Sequence, residues 1–218
     1  IEVLKNNTDP KVRIAAAYAL RGTTDPQAIS ALIEALKNNT DPEVRIEAAH
    51  VLRGTTDPQA ISALIEVLKN NTDPKVRIAA AYVLRDTTDP QAISAFIEVL
   101  KNDTDPKVRI EAVNVLRGTT DPQAISALIE VLKNNTDPKV RIEAAYVLRG
   151  TTDPQAISAL TEALKNDADP EVRIEAGNAL VGTTDPQAIS AFIEVLKNDA
   201  DPEVRLAIEQ IFNGIVQP

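Results

Sequence analysis

From Asp25 to Lys37 the apolar positions fall at Ala28, Ile29, Leu32, Ile33 and Leu36, with Gln27, Ser30, Glu34 and Lys37 on the other side. That spacing is one stripe of an amphipathic helix. Asp25 suits the N-cap, where its carboxylate can accept from free N–H groups of the first turn, and Pro26 suits the first helical position. Asn38-Asn39-Thr40 breaks the pattern, and an Asn here is expected to act as a left-handed C-cap. Asp41-Pro42 opens a second helix by the same device. Its inner stripe is Val44, Ala48, Val51 and Leu52, and Gly54 ends it before Thr55-Thr56. The pattern predicts two antiparallel helices of about 12 residues each, joined by short turns.

This unit recurs along the whole chain. Asp9-Pro10 returns at Asp41-Pro42, Asp73-Pro74 and onward to Asp201-Pro202, a period of 32 residues. Asp25-Pro26 begins a second series that runs to Asp185-Pro186. A period in this range marks a stacked array, in which each unit buries its apolar face only against its neighbours. The expected fold is all-α, a right-handed α-α superhelix (α-solenoid) of helix-pair repeats. Residues 1–218 are expected to form one solenoid, with 1–24 a truncated repeat, 25–184 five full repeats, and 185–218 a sixth repeat with a C-terminal cap. Ile1, Val3 and Leu4 are the remains of a first helix and should leave apolar surface open, so end-to-end self-association is an expectation. Ala17, Ala49, Ala81, Val113, Ala145 and Gly177 form a column of small residues where one helix pair rests on the next. Glu209 holds that column in the last unit, where a carboxylate fits a water-facing end with Ile215 and Val216 folded over it.

Composition narrows the function. The chain is 44% apolar with 3% aromatic residues, so its core is built from small and medium aliphatics. A formal net charge of −9 weighs against nucleic acid or an anionic membrane as partner. There is no cysteine, and no apolar run approaches the roughly 18 residues of a membrane span. A cytoplasmic location is the expectation.

The second helix carries Asp-Pro-x-Val-Arg-x-x-Ala-Ala-x-x-Leu, as in Asp41, Pro42, Val44, Arg45, Ala48, Ala49 and Leu52, and the first ends Leu-Ile-Glu-Ala-Leu-Lys. Together these resemble HEAT-like repeats of the short, bilin-lyase type and the artificial alpha-helicoidal proteins built from them. The resemblance implies an interaction scaffold rather than a particular activity. It also implies a ladder between successive units, pairing Asp41, Asp73, Asp105, Asp137 and Asp169 with Arg45, Arg77, Arg109, Arg141 and Arg173. The plainer alternative is N-capping by Asp beside a solvated Arg.

Near-identity of the units shows which columns differ. Variation gathers in the columns headed by Lys11, Ile14, Ala15, Tyr18 and Arg21, whose i, i+3, i+4, i+7 spacing is one helical face. The Tyr18 column reads Tyr18, His50, Tyr82, Asn114, Tyr146, Asn178, Gln210, and holds every tyrosine and the only histidine. Tyrosine offers large amphipathic contact area at low entropic cost. Ile46, Ile78, Ile110 and Ile142 run beside it, and Arg53, Arg85, Arg117 and Arg149 lie near the helix ends. By the resemblance these second helices line a concave groove. The charged columns are mainly basic through Arg149, whereas Glu171, Glu175 and Glu203 make the last two units acidic. A protein or extended peptide bound in one direction is the expected partner, with a structural spacer acting through its ends as the alternative.

Catalysis is not expected. One histidine and no cysteine leave no metal-ligand set of the kind HEAT-like hydroxylases need, and no cofactor is implied. A bilin-lyase-like or other enzyme-associated role is a distant third reading. Asn-x-Thr triplets at Asn6, Asn38, Asn70, Asn102 and Asn134 match glycosylation sequons but follow from copying one turn. Thr161, Gly177 and Asp86 break the consensus in the manner of neutral drift after duplication.

Overall fold

The computed structural model describes residues 1–87 and 89–216, with side chains through Asn213. The expected capping contacts of Ile215 and Val216 therefore lie outside the described residues. The chain divides into two compact units, Ile1–Val115 and Leu116–Pro218. The first unit holds α1 (Glu2–Asn6), α2 (Pro10–Tyr18), α3 (Pro26–Asn38), α4 (Pro42–Val51), α5 (Pro58–Asn70), α6 (Pro74–Leu84), α7 (Pro90–Asn102) and α8 (Pro106–Val115). The second holds α9 (Pro122–Asn134), α10 (Pro138–Val147), α11 (Pro154–Asn166), α12 (Pro170–Ala179), α13 (Pro186–Asn198) and α14 (Pro202–Val216). Among the described residues there is no strand. Odd-numbered helices are the first of each pair and even-numbered helices the second.

Each helix starts where the sequence places it. The Asp57 carboxylate accepts from the N–H groups of Gln59 (2.8 Å) and Ala60 (3.1 Å), with Pro58 at the first helical position. The exits of the first helices differ from expectation. Asn39 is extended (φ −63°, ψ 136°), and no described non-glycine residue has positive φ. Its Oδ1 instead accepts from the Asp41 N–H at 3.1 Å, a side-chain turn that hands the chain to the next N-cap. Pro42 also demands an extended residue before it, and Asp41 complies at φ −89°, ψ 122°. Left-handed backbone appears after the second helices, at Gly54 (φ +77°). Asp86 cannot follow that route cheaply. There α6 runs one turn position further, to Leu84, and Arg85 stays helical at φ −50°.

The core is the predicted stripe with one adjustment. Ala28, Leu32 and Leu36 are buried, but Ile29 and Ile33 are only half-buried, while Ala31 and Ala35 join the core. A fully buried Leu such as Leu64 contributes about 1.5–3 kcal/mol of transfer free energy. Leu4 was expected to be open, yet it is 1% exposed; Ile1 and Val3 remain outside. Gly177 proves to have a structural reason. A Cβ there would lie 2.5 Å from Ile208 Cδ1. Ile208 stands where the other units carry an alanine such as Ala176, and the extra volume is accepted because Gly177 gives up its own. Phe192 and Phe212 pack beside them, with rings 6.2 Å apart.

A ladder exists, but its carboxylates are not those of the Asp-Pro pairs. Asp41, Asp73 and Asp137 cap their own helices, accepting from Glu43, Lys75 and Lys139 N–H at 2.8–2.9 Å, and Asp105 accepts from Lys107. The arginine partner is the residue two positions earlier in the next repeat. Arg77 forks onto Asp103 through Nε (2.8 Å) and Nη2 (2.9 Å), and its Nη1 donates to the Asn71 carbonyl (2.7 Å). Arg141 and Arg173 make the same fork to Asp167 and Asp199. The Asp167 hydrogen bond raises the Arg141 pKa above its ordinary value, with smaller help from the fields of Asp169 and Asp137. The column that supplies these carboxylates reads Asn7, Asn39, Asn71, Asp103, Asn135, Asp167, Asp199. An Asn makes the local turn equally well but offers only one acceptor oxygen and no charge. Arg13 reaches Asn39 Oδ1 at only 3.5 Å, and the Nε atoms of Arg13, Arg45 and Arg109 are buried without a partner. Arg45 and Arg109 keep their bonds to the Asn39 and Asp103 carbonyls (2.6 and 2.7 Å).

Candidate interaction face of the second helices

In the first unit, α4 and α6 with the residues just past their ends bring four members of the variable face together, His50, Arg53, Tyr82 and Arg85. The Tyr82 ring lies between two guanidinium groups, Arg53 at 4.8 Å and Arg85 at 5.2 Å from its centroid. The Tyr82 hydroxyl oxygen accepts from Arg53 Nη1 at 2.9 Å. His50 meets the same ring edge-on, at 6.2 Å and 81°. Exposed cation–π contacts of this kind are worth about 0.5–1 kcal/mol each, enough to hold the arginines over the ring. Arg53 also reaches Asp86 at 3.5 Å, and Arg85 reaches Glu111 at 3.3 Å. Tyr18 stands apart from this stack and is 59% exposed. Between Tyr18, His50 and Tyr82 lies a shallow depression of about 320 Å³, whose wall includes Arg21, Glu47 and Arg53.

The second unit repeats the stack once. Tyr146 lies between Arg117 (4.6 Å) and Arg149 (5.4 Å), and Arg149 pairs with Glu175 at 3.4 Å. Asn178 donates to the same Glu175 at 3.2 Å. Val181 takes the arginine position of the next repeat and is half exposed. Asn114 and Asn178 are half-buried in the column the tyrosines occupy. So are Ile46, Ile78, Ile110 and Ile142, which offer less open apolar surface than the sequence suggested. Leu206, in the same column of the last pair, is 57% exposed.

The stacking of arginine on tyrosine was not foreseen, although Tyr82-Val83-Leu84-Arg85 and Tyr146-Val147-Leu148-Arg149 carry its signal. An i, i+3 pair shares one helix face. The first helices use their charges differently. On the first helices Lys5–Glu34, Lys37–Glu66, Lys69–Glu98 and Lys165–Glu194 pair at 2.6–2.9 Å. The partner glutamates hold the Lys5 and Lys165 pKa values above the ordinary lysine value. Crevices of about 370–570 Å³ also separate successive Gly-Thr-Thr turns, but their walls are mainly backbone, threonine and aliphatic side chains. Among the described residues no three His, Cys, Asp or Glu side chains converge as a metal site would require. No described helix is long and apolar enough to cross a membrane.

Tandem helix pairs with an arginine ladder define an α-solenoid repeat protein. A family model for HEAT repeats matches residues 1–85, 61–149 and 125–212, and the chain belongs to that family. No curated protein sequence matches it. Among solved structures, it is similar to the complex of CpcE and CpcF of phycocyanin lyase from a Nostoc species, at 20% identity and a TM-score of 0.50, covering 98% of this chain and 93% of that one. A chain from a structure of microtubule plus-end tracking by XMAP215, CLIP-170 and EB1 is similar at 19% identity and a TM-score of 0.53, covering 92% and 97%. Human deoxyhypusine hydroxylase in complex with glycerol follows at 23% identity and 0.49, covering 95% and 80%. At these identities the likeness shows the fold alone.

Proposed function

We propose that the protein is a non-catalytic scaffold whose second-helix faces bind a protein or an extended peptide. The observation that carries the reading is the Arg53–Tyr82–Arg85 stack, matched by Arg117–Tyr146–Arg149 in the other unit. Rigid aromatic and guanidinium groups held in place on the surface lose little entropy on binding, and Tyr and Arg are the residue types that dominate interface energetics. The rest of the surface supports the contrast, because the first helices tie their lysines to glutamates of neighbouring repeats.

Direction of binding follows from charge within each unit. The first unit carries Lys11, Arg21, Arg53, Lys75, Arg85 and Lys107 on this face against Glu43, Glu47 and Glu111, so it suits acidic segments. The second carries Arg117, Lys139 and Arg149 against Glu143, Glu171, Glu175 and Glu203, so it suits mixed or basic segments. Such pairs fix register and speed encounter more than they add affinity.

Peptides selected from a random displayed library test the reading. A variant with Tyr18, Tyr82 and Tyr146 all changed to Ala should keep its helical circular dichroism and lose the selected peptides. Unchanged affinity in that variant would place binding elsewhere on the molecule.

A further inference from the structure

We propose that the depression between α2, α4 and α6 receives one aromatic side chain of an acidic peptide, whose neighbouring carboxylates bind Arg53 and Arg21. This rests on the scaffold reading above and names the partner chemistry for one site within it. Tyr18, His50 and Tyr82 supply three rings around about 320 Å³ of open space, room for a single large side chain. Rings in such a cluster favour edge-to-face or offset packing against an incoming ring.

The charge argument comes from comparing equivalent arginines. Arg85 and Arg149 each meet a glutamate of the following repeat, Glu111 and Glu175. The residue in that register for Arg53 is Ala79, a buried alanine, so the intramolecular carboxylate is missing there. Arg53 donates to the Tyr82 hydroxyl, and among the described residues its only ion pair is the 3.5 Å approach to the exposed Asp86. Among the described residues, the Arg21 guanidinium has no ion-pair partner, and neither does Lys75 at the start of α6. Glu47 is the single carboxylate on the wall of the depression. The site is therefore an aromatic cup whose wall carries Arg21 and Arg53 against the single carboxylate of Glu47, and a carboxylate from outside takes the place beside Arg53 that Glu111 and Glu175 fill beside Arg85 and Arg149. A basic peptide would meet like charge there.

The probes are three capped peptides, Glu-Glu-Phe-Glu-Glu, Glu-Glu-Gly-Glu-Glu and Lys-Lys-Phe-Lys-Lys, titrated at low salt into isotope-labelled protein and read by NMR. The first should shift the resonances of Tyr18, His50 and Tyr82, the second much less, and the third not at all. Ala79→Glu supplies the missing carboxylate internally and should weaken the acidic aromatic peptide about fivefold, a change typical of one exposed charge pair. Ala79→Gln controls for the larger side chain and should bind as the parent does. Equal shifts with the lysine peptide, or an Ala79→Glu protein that binds as tightly as the parent, would overturn the proposal. If no probe shifts these resonances while the triple tyrosine variant still loses the library-selected peptides, the acidic-partner proposal fails and the scaffold reading stands. If that variant keeps those peptides as well, both fall.

Discussion

Arg77 and Arg85 belong to the same helix, α6, the first near its start and the second at its C-cap, and they do opposite things. Arg77 is 8% exposed, forked onto Asp103 and bonded to the Asn71 carbonyl. Arg85 lies on the surface over the Tyr82 ring, with one long ion pair to Glu111. At the loop edge the guanidinium donates three hydrogen bonds to protein acceptors, so its loss would strand a buried carboxylate. On the face the guanidinium keeps its water and gives up little when it changes partner. The edge ties one repeat to the next, and the face carries the exposed arginines. One residue type serves both because Arg77 is buried against a carboxylate of the next repeat, whereas the Arg85 side chain stays 44% exposed.

Substitutions can break this contrast, beginning at the edge. Arg77→Ala leaves the buried Asp103 carboxylate without its partner and should cost about 3 kcal/mol of stability, the usual penalty for breaking a buried pair. Urea unfolding followed by circular dichroism would measure it, and a loss as small as that of a surface pair would refute the ladder. Asp103→Asn is gentler, because the Asn can still accept from the Asp105 N–H as Asp103 does. It should cost about 1–2 kcal/mol through the lost charge-assisted fork. The reverse change, Asn71→Asp, offers Arg45 the carboxylate it lacks and gives its buried Nε a partner. A gain of about 1 kcal/mol is expected, read as a higher urea midpoint. Arg85→Ala on the face should change stability by less than about 0.5 kcal/mol while weakening any ligand that spans Tyr82. Equal unfolding midpoints for Arg77→Ala and Arg85→Ala would erase the distinction between edge and face.

The fold was legible because the period and the capping pairs agree at every copy. Asp57, Pro58 and Gly54 each sit where their chemistry requires, and the structure uses all three as read. The ladder partner was misassigned because Asn and Asp make the same local turn, so the column from Asn7 to Asp199 looks like a copied loop. Its second task involves an arginine 26 positions earlier in another repeat, a distance no local pattern reveals. The Asn-or-Asp restriction in that column was the available clue. Gly177 looked like drift for a similar reason, since its justification lies in Ile208 of the next helix pair. The tyrosine column was visible in the sequence, as was the Tyr-x-x-Arg spacing. That Arg53 lacks a glutamate where Arg85 and Arg149 have one depends on Ala79 and on distances between helices, and only the structure puts them side by side.

The central claim is that recognition belongs to the second-helix face and not to the loop edge or the first helices. Hydrogen–deuterium exchange with and without a library-selected peptide tests it most directly. The account predicts added protection in α4 and α6 around His50 and Tyr82, or in α10 around Tyr146, with the first helices α3, α5, α9 and α11 unchanged. Protection confined to those first helices, or to the turns that carry the Arg77–Asp103 and Arg141–Asp167 forks, would contradict it.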